Sequence, residues 1–286
     1  MYYFLSLLTG ILISVMVAVN GGLTKQYGVY SATVIIHIIG LILITVLSLV
    51  KHERLFPKRH AWFLYLGGAI GVLTTVFNNL AFGRISVSAI LALGLFGQSI
   101  TGLVIDQFGL LGMPRHPFTQ RKLIGLALIL AGIVLMINSF EIIAVAVSFI
   151  AGVNIVISRT LNAKLAGLTS VRTSTFYNYL IGLLISIPVF LLLGRNEAAL
   201  AGFEISPDLY IYLGGLLGVF IVIISNITVV KIPAFYLTLL IFIGQIFSGV
   251  LIDIVISQEL SSRNLIGGVL VAAGLCVNLL LDNKRS

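Results

Sequence analysis

The chain has 286 residues, 59% of them hydrophobic and only 9% charged, with a mean hydropathy of +1.16. Soluble domains carry roughly a quarter charged residues, so this composition excludes a water-facing globule, which would have nothing to cover its surface with. The net charge of +8 comes from short Lys/Arg clusters between apolar runs, the pattern that orients membrane proteins, and it excludes nucleic acid as a partner.

Apolar runs of about 20 residues span a ~30 Å hydrocarbon core as helices, and the chain reads as ten of them. The first, 3–22, starts directly from Met1-Tyr2-Tyr3-Phe4 with no basic residue ahead of it, which fits a retained span better than a cleaved signal. It ends near Asn20. The second, 32–50, contains His37 and leads into Lys51, Arg54, Lys58 and Arg59. Trp62, Phe63 and Tyr65 open the third, 61–81, at headgroup level, and Asn79 closes it. The fourth, 86–105, carries Gln98 and ends at Asp106. The fifth and sixth, 123–138 and 142–158, are divided by a turn at Asn138-Ser139-Phe140-Glu141. A basic segment, 159–172, follows with Arg159, Lys164 and Arg172. The last four are 173–194 with Tyr179 and Pro188, 209–229 with Asn226, 233–252 with Gln245 followed by Asp253, and 265–281 with the single cysteine, Cys276. A lone cysteine forms no internal disulfide and reads as a small packing residue.

The chain repeats itself. Tyr65-Leu66-Gly67-Gly68-x-x-Gly71-Val72 returns as Tyr212-Leu213-Gly214-Gly215-x-x-Gly218-Val219, and Asn79 as Asn226. At the same offset of 147, Gly97-Gln98-x-x-x-Gly102-x-x-Ile105-Asp106 returns as Gly244-Gln245-x-x-x-Gly249-x-x-Ile252-Asp253. At an offset of 142, Gly10, Asn20 and Gly40 match Gly152, Asn162 and Gly182. Shared Leu and Ile arise by chance in apolar sequence; Gln, Asp, Asn and Gly in one order do not. The halves are 1–140 and 141–286. Each holds five spans, and an odd number forces the second half to enter the membrane in the opposite sense.

Charge supports that inversion. Thirteen Lys and Arg fall on the side of the N-terminus, against Lys25, Arg84, Arg195 and Arg263 on the other. Positive loops favour the cytoplasm, so both termini are expected inside. The basic 51–60 loop corresponds to one holding Arg195 beside Glu197, Glu204 and Asp208.

Ten spans in two inverted five-span halves resemble the drug/metabolite transporter superfamily. The repeated Gly-Gln-x-x-x-Gly-x-x-Ile-Asp segment, with Gln107-Phe108-Gly109-Leu110-Leu111-Gly112 after the first copy, resembles the YdcZ-type inner-membrane exporters. So do the Asn-bearing ends of the first and sixth spans. The second copy departs after Asp253, reading Ile-Val-Ile-Ser. The resemblance implies a bacterial cytoplasmic membrane and export.

The residues supply candidates for a site. An in-plane twofold lets only midplane residues face their own copies. Gln98 and Gln245, each eight residues before its Asp and so ~12 Å from it, are the leading substrate-binding candidates, since an amide both donates and accepts. The alternative for each is interhelical bridging. His37, with Tyr179 at the equivalent position, is a further candidate, as are Asn79 and Asn226; a histidine leaves proton coupling open. Asp106 and Asp253 sit at span ends, as caps, salt bridges to Arg121 and Arg263, or gates. Asn20 and Asn162 are gating or structural in the same sense. No metal site, cofactor or nucleophile–base pair is evident. The expected function is export of a small polar or amphipathic solute by a monomer or homodimer in the lipid bilayer. The alternatives are a membrane-embedded lipid-modifying enzyme or a non-transporting scaffold.

Overall fold

Ten α-helices and no strand occur among the described residues of the computed structural model. The structure describes all residues except 54, 56–59, 113–119, 121, 138–140, 198–203, 229–230, 232–233, 259–260 and 284–286. Parts of the expected basic 51–60 loop, Arg121, the Asn138–Phe140 turn and the basic tail therefore lie outside the described residues.

The helices are α1 (Tyr2–Tyr27), α2 (Val29–Val50), α3 (Leu66–Ala81), α4 (Val87–Phe108), α5 (Lys122–Met136), α6 (Ile142–Leu168), α7 (Val171–Leu193), α8 (Leu213–Thr228), α9 (Ala234–Ser257) and α10 (Ser262–Asn283). Short 3₁₀ turns, Trp62–Tyr65 and Leu209–Tyr212, lead into α3 and α8. Helix is what such sequence must form in lipid, because every backbone donor and acceptor has to be satisfied within the segment. Eight helices are long and apolar enough to cross a membrane; α5 and α10 supply only the shorter apolar stretches Leu123–Met136 and Ser262–Asn278. Large apolar side chains such as Ile42, Leu49, Leu192 and Val255 face outward, as lipid-facing residues should.

Local signals set the helix ends. Ser86 Oγ accepts from the Ala89 amide at 3.2 Å and starts α4. Gly109, at φ 62°, stops it in a left-handed C-cap whose amide returns to the Ile105 carbonyl, a conformation that costs glycine nothing. The sixth helix corrects the sequence reading. It does not stop at 158 but runs on to Leu168, so Arg159 and Lys164 are helical residues and not part of a loop. Lys164 Nζ donates to the Leu111 carbonyl oxygen.

The packing repeats with the sequence. Exchange α1 with α6, α2 with α7, α3 with α8, α4 with α9 and α5 with α10. The contact of α1 with α9 then becomes that of α6 with α4, α3 with α6 becomes α8 with α1, and α3 with α7 becomes α8 with α2. Three helices, α2, α4 and α5, pack on their own counterparts. Glycine makes the closest of these approaches. A Cβ on Gly10 would lie 2.0 Å from the Ile241 carbonyl oxygen, and one on Gly152 would lie 1.9 Å from that of Gly94. Likewise Gly97 abuts the Phe149 carbonyl and Gly244 that of Leu7. Small residues let membrane helices approach backbone to backbone, and here equivalent glycines meet equivalent partners.

Contacts between helix ends join segments that strict alternation of spans puts on one side. Arg172 pairs with Glu53 at 2.7 Å. At the opposite end of the same helices, the Glu197 carboxylate accepts from the amides of Tyr30 and Ser31 at 2.9 and 2.8 Å, and Tyr27 donates to the Glu204 carbonyl.

Candidate functional site

A cavity of about 200 Å³ lies among the helices, far larger than the roughly 10–15 Å³ that holds one water. Every helix except α5 and α10 lines it. Those two pack against each other, with Gly125 against Gly274 and Gly132 against Gly267.

Both repeated glutamines line the cavity, Gln98 midway along α4 and Gln245 midway along α9. Gln245 is 3% exposed, and among the described residues its Oε1 has no hydrogen-bond donor. Its backbone oxygen accepts from Ser14 Oγ at 2.8 Å, which fixes α9 to α1. Gln98 is more accessible.

His37 and Tyr179 also line the cavity, with ring centroids 5.9 Å apart. Each ring covers a glycine of the other half: His37 lies over Gly182 and Tyr179 over Gly40. Two pairs predicted at one offset thus cross at the contact of α2 with α7. His37 Nδ1 lies 2.7 Å from the Thr33 carbonyl. An oxygen with no proton must accept there, so Nδ1 carries a hydrogen, and in the neutral ring Nε2 does not. The Tyr179 hydroxyl donates to the Gly215 carbonyl at 3.3 Å.

The asparagines divide. Asn20, Asn162 and Asn226 line the cavity. Asn162 Nδ2 donates to Asn178 Oδ1 at 2.8 Å, while Asn20 Oδ1 has no donor among the described residues. Asn20 lies against Gly214 and Asn162 against Gly67, again equivalent for equivalent. Asn79 is not a lining residue: it is buried, with Nδ2 unpartnered among the described residues, and its neighbour Asn78 faces the cavity instead. One step along a helix turns a side chain by about 100°, so the repeat located the residue but not the face.

Asp253 does not reach the cavity. Its carboxylate accepts from the amides of Val87 and Ser88 at 2.7 and 3.0 Å and from Asn264 Nδ2 at 3.4 Å. That geometry caps the N-terminus of α4, where the helix dipole favours a negative charge. Among the described residues Asp253 makes no ion pair with Arg263. The side chain of Asp106 lies outside the described residues. No group of three metal-ligating side chains occurs among those described.

Sequence reasoning missed Arg159. The sequence pattern places it in a loop, yet it sits within α6 and lines the cavity. The signal was present in the repeat. At the offset of 142 that pairs Asn20 with Asn162, Arg159 pairs with Val17, one helical turn inside the asparagine.

A paired-halves helical fold around a central cavity with a few polar side chains defines a class of membrane transport proteins, and comparison agrees. The family model described as "Putative inner membrane exporter, YdcZ" matches this chain twice, at residues 1–135 and 143–277. The chain belongs to this YdcZ family of the drug/metabolite transporter superfamily and is a multi-pass membrane protein. A solved crystal structure aligns over 99% of this chain and 98% of its own at a TM-score of 0.68 and 16% identity, which shows a shared fold. No curated protein matches.

Proposed function

We propose that this protein is a secondary transporter of a bacterial cytoplasmic membrane, exporting a small polar or amphipathic metabolite by alternating access. In this reading all ten helices span the bilayer, both termini are cytoplasmic, and residues 1–140 and 141–286 are inverted halves that rock about a site near the midplane. One observation carries it. Helices of both halves, in exchange-related pairs, enclose one cavity, and both repeated glutamines line it. Broken symmetry between two such halves is how a fixed central site opens to either side in turn. The chain needs no second copy to complete this cavity, so a monomer suffices. Protons remain a candidate coupling partner through His37.

The test compares metabolites in cells and medium for the wild type, an empty-vector control and the Gln98→Leu/Gln245→Leu double variant, at matched membrane abundance. The wild type moves a solute outward, and the double variant moves it roughly tenfold or more slowly, because two amide contacts to the solute are lost. Equal flux from both proteins removes the glutamines from the site. A wild type indistinguishable from the empty vector leaves the lipid-modifying enzyme or the scaffold as the better reading.

A further inference from the structure

The exchange of halves shows what the fold itself requires at each cavity position and what has been added. On α1 the cavity is lined by Ile13, Met16, Val17 and Asn20; on α6 the equivalent residues are Ile155, Ser158, Arg159 and Asn162. Packing is therefore satisfied by valine where α6 carries arginine. The same asymmetry extends to α3 and α8, where Thr74, Thr75 and Asn78 correspond at an offset of 147 to Ile221, Val222 and Ser225. On α7, Asn178 corresponds to Ile36 of α2. Helices α3, α6 and α7 pack together, as do their counterparts α8, α1 and α2. The α3, α6 and α7 wall of the cavity is thus the more polar and carries a guanidinium, while the α1, α2 and α8 wall, which holds Asn20, His37, Ser225 and Asn226, is the more apolar.

Among the described residues the charge is uncompensated: no Asp or Glu lines the cavity, and Arg159 has no ion pair or hydrogen bond. Arginine stays charged at any physiological pH. A charged side chain deep in a membrane span is costly and marks a functional site by default, and an unpaired one destabilises the fold that holds it. A guanidinium fork matches an oxyanion, carboxylate or phosphate, through paired charge-assisted hydrogen bonds.

We infer that the solute of this cavity is an amphipathic organic oxyanion, its carboxylate or phosphate held by Arg159 and its apolar part laid against the α1, α2 and α8 wall. The inference rests on the transporter reading for its meaning, but its test does not need transport. Purified protein in a neutral maltoside detergent is melted with 3-phenylpropanoate, 2-phenylethyl phosphate, 3-phenylpropylamine, 3-phenylpropanol and propanoate. One or both phenyl-bearing anions raise the melting temperature saturably, and the amine, the alcohol and propanoate do not. Arg159→Val folds, since Val17 fills the equivalent place, melts no lower than the wild type, and binds the anion roughly ten- to hundredfold more weakly. Arg159→Lys keeps the charge without the fork and falls between. The inference is overturned if no anion binds, if the amine or alcohol binds as well as the anion, or if Arg159→Val binds like the wild type. Anion binding without export by cells counts against transport and not against the oxyanion site; export of a neutral or cationic solute does the reverse.

Discussion

Gly152→Leu is expected to abolish accumulation of folded protein. Helices α4 and α6 meet at this point, and a Cβ on Gly152 would sit 1.9 Å from the Gly94 carbonyl oxygen and 2.9 Å from its Cα. Backbone cannot rotate out of the way as a side chain can, so the helices must separate by an ångström or more. Overpacking a well-filled core commonly costs about 1–3 kcal/mol and occasionally more; contact with backbone belongs at or beyond the top of that range. The separation would also pull Gly97 off the Phe149 carbonyl and open the wall that holds Gln98. Gly10→Leu should do the same at the contact of α1 with α9, by the exchange of halves. Gly102 is the control. It belongs to the repeated Gln/Asp segment, yet a Cβ there meets nothing within 4 Å, so Gly102→Ala should be neutral or gain up to about 1 kcal/mol of helix propensity. Size-exclusion profiles of a fluorescent fusion, with thermal midpoints of whatever is monodisperse, measure all three. A Gly152→Leu protein as abundant and as stable as the wild type would contradict the close approach.

Asp253→Ala is the second large effect. It removes the acceptor for two backbone amides at the start of α4 and for Asn264 on α10. Hydrogen bonds to a charged group are each worth about 1.5–3 kcal/mol, and Ser86 still caps the Ala89 amide, so the net loss should be about 2–3 kcal/mol. Asp253→Asn keeps one acceptor and turns a donor towards the other amide, and should lose about half as much. Thermal melting of the purified variants reads the stability. Solute flux per folded molecule should stay at the wild-type level, since Asp253 does not line the cavity. A fall in flux at an unchanged melting temperature would make Asp253 a gate and not a cap.

The clearest contrast between sequence and structure is the pair of residues named together, Asn79 and Asn226. The duplication flagged both, yet only Asn226 lines the cavity while Asn78 replaces Asn79. A sequence offset fixes which residues correspond; a residue's azimuth depends on how its helix is rotated against its neighbours. Gln98 and Gln245, on helices α4 and α9 that pack on each other, both face the cavity.

Residues alone pointed to the membrane class, the all-helical build and the duplication, and singled out Gln98 and Gln245, both of which line the cavity. These follow from composition, from the length of apolar runs and from the order of rare polar residues, all properties of a one-dimensional string. The end of α6, the role of Asp253 and the place of Arg159 required the folded chain. A basic residue past an apolar run scores as loop because hydropathy prices it against lipid. Only packing shows that Arg159 faces a cavity.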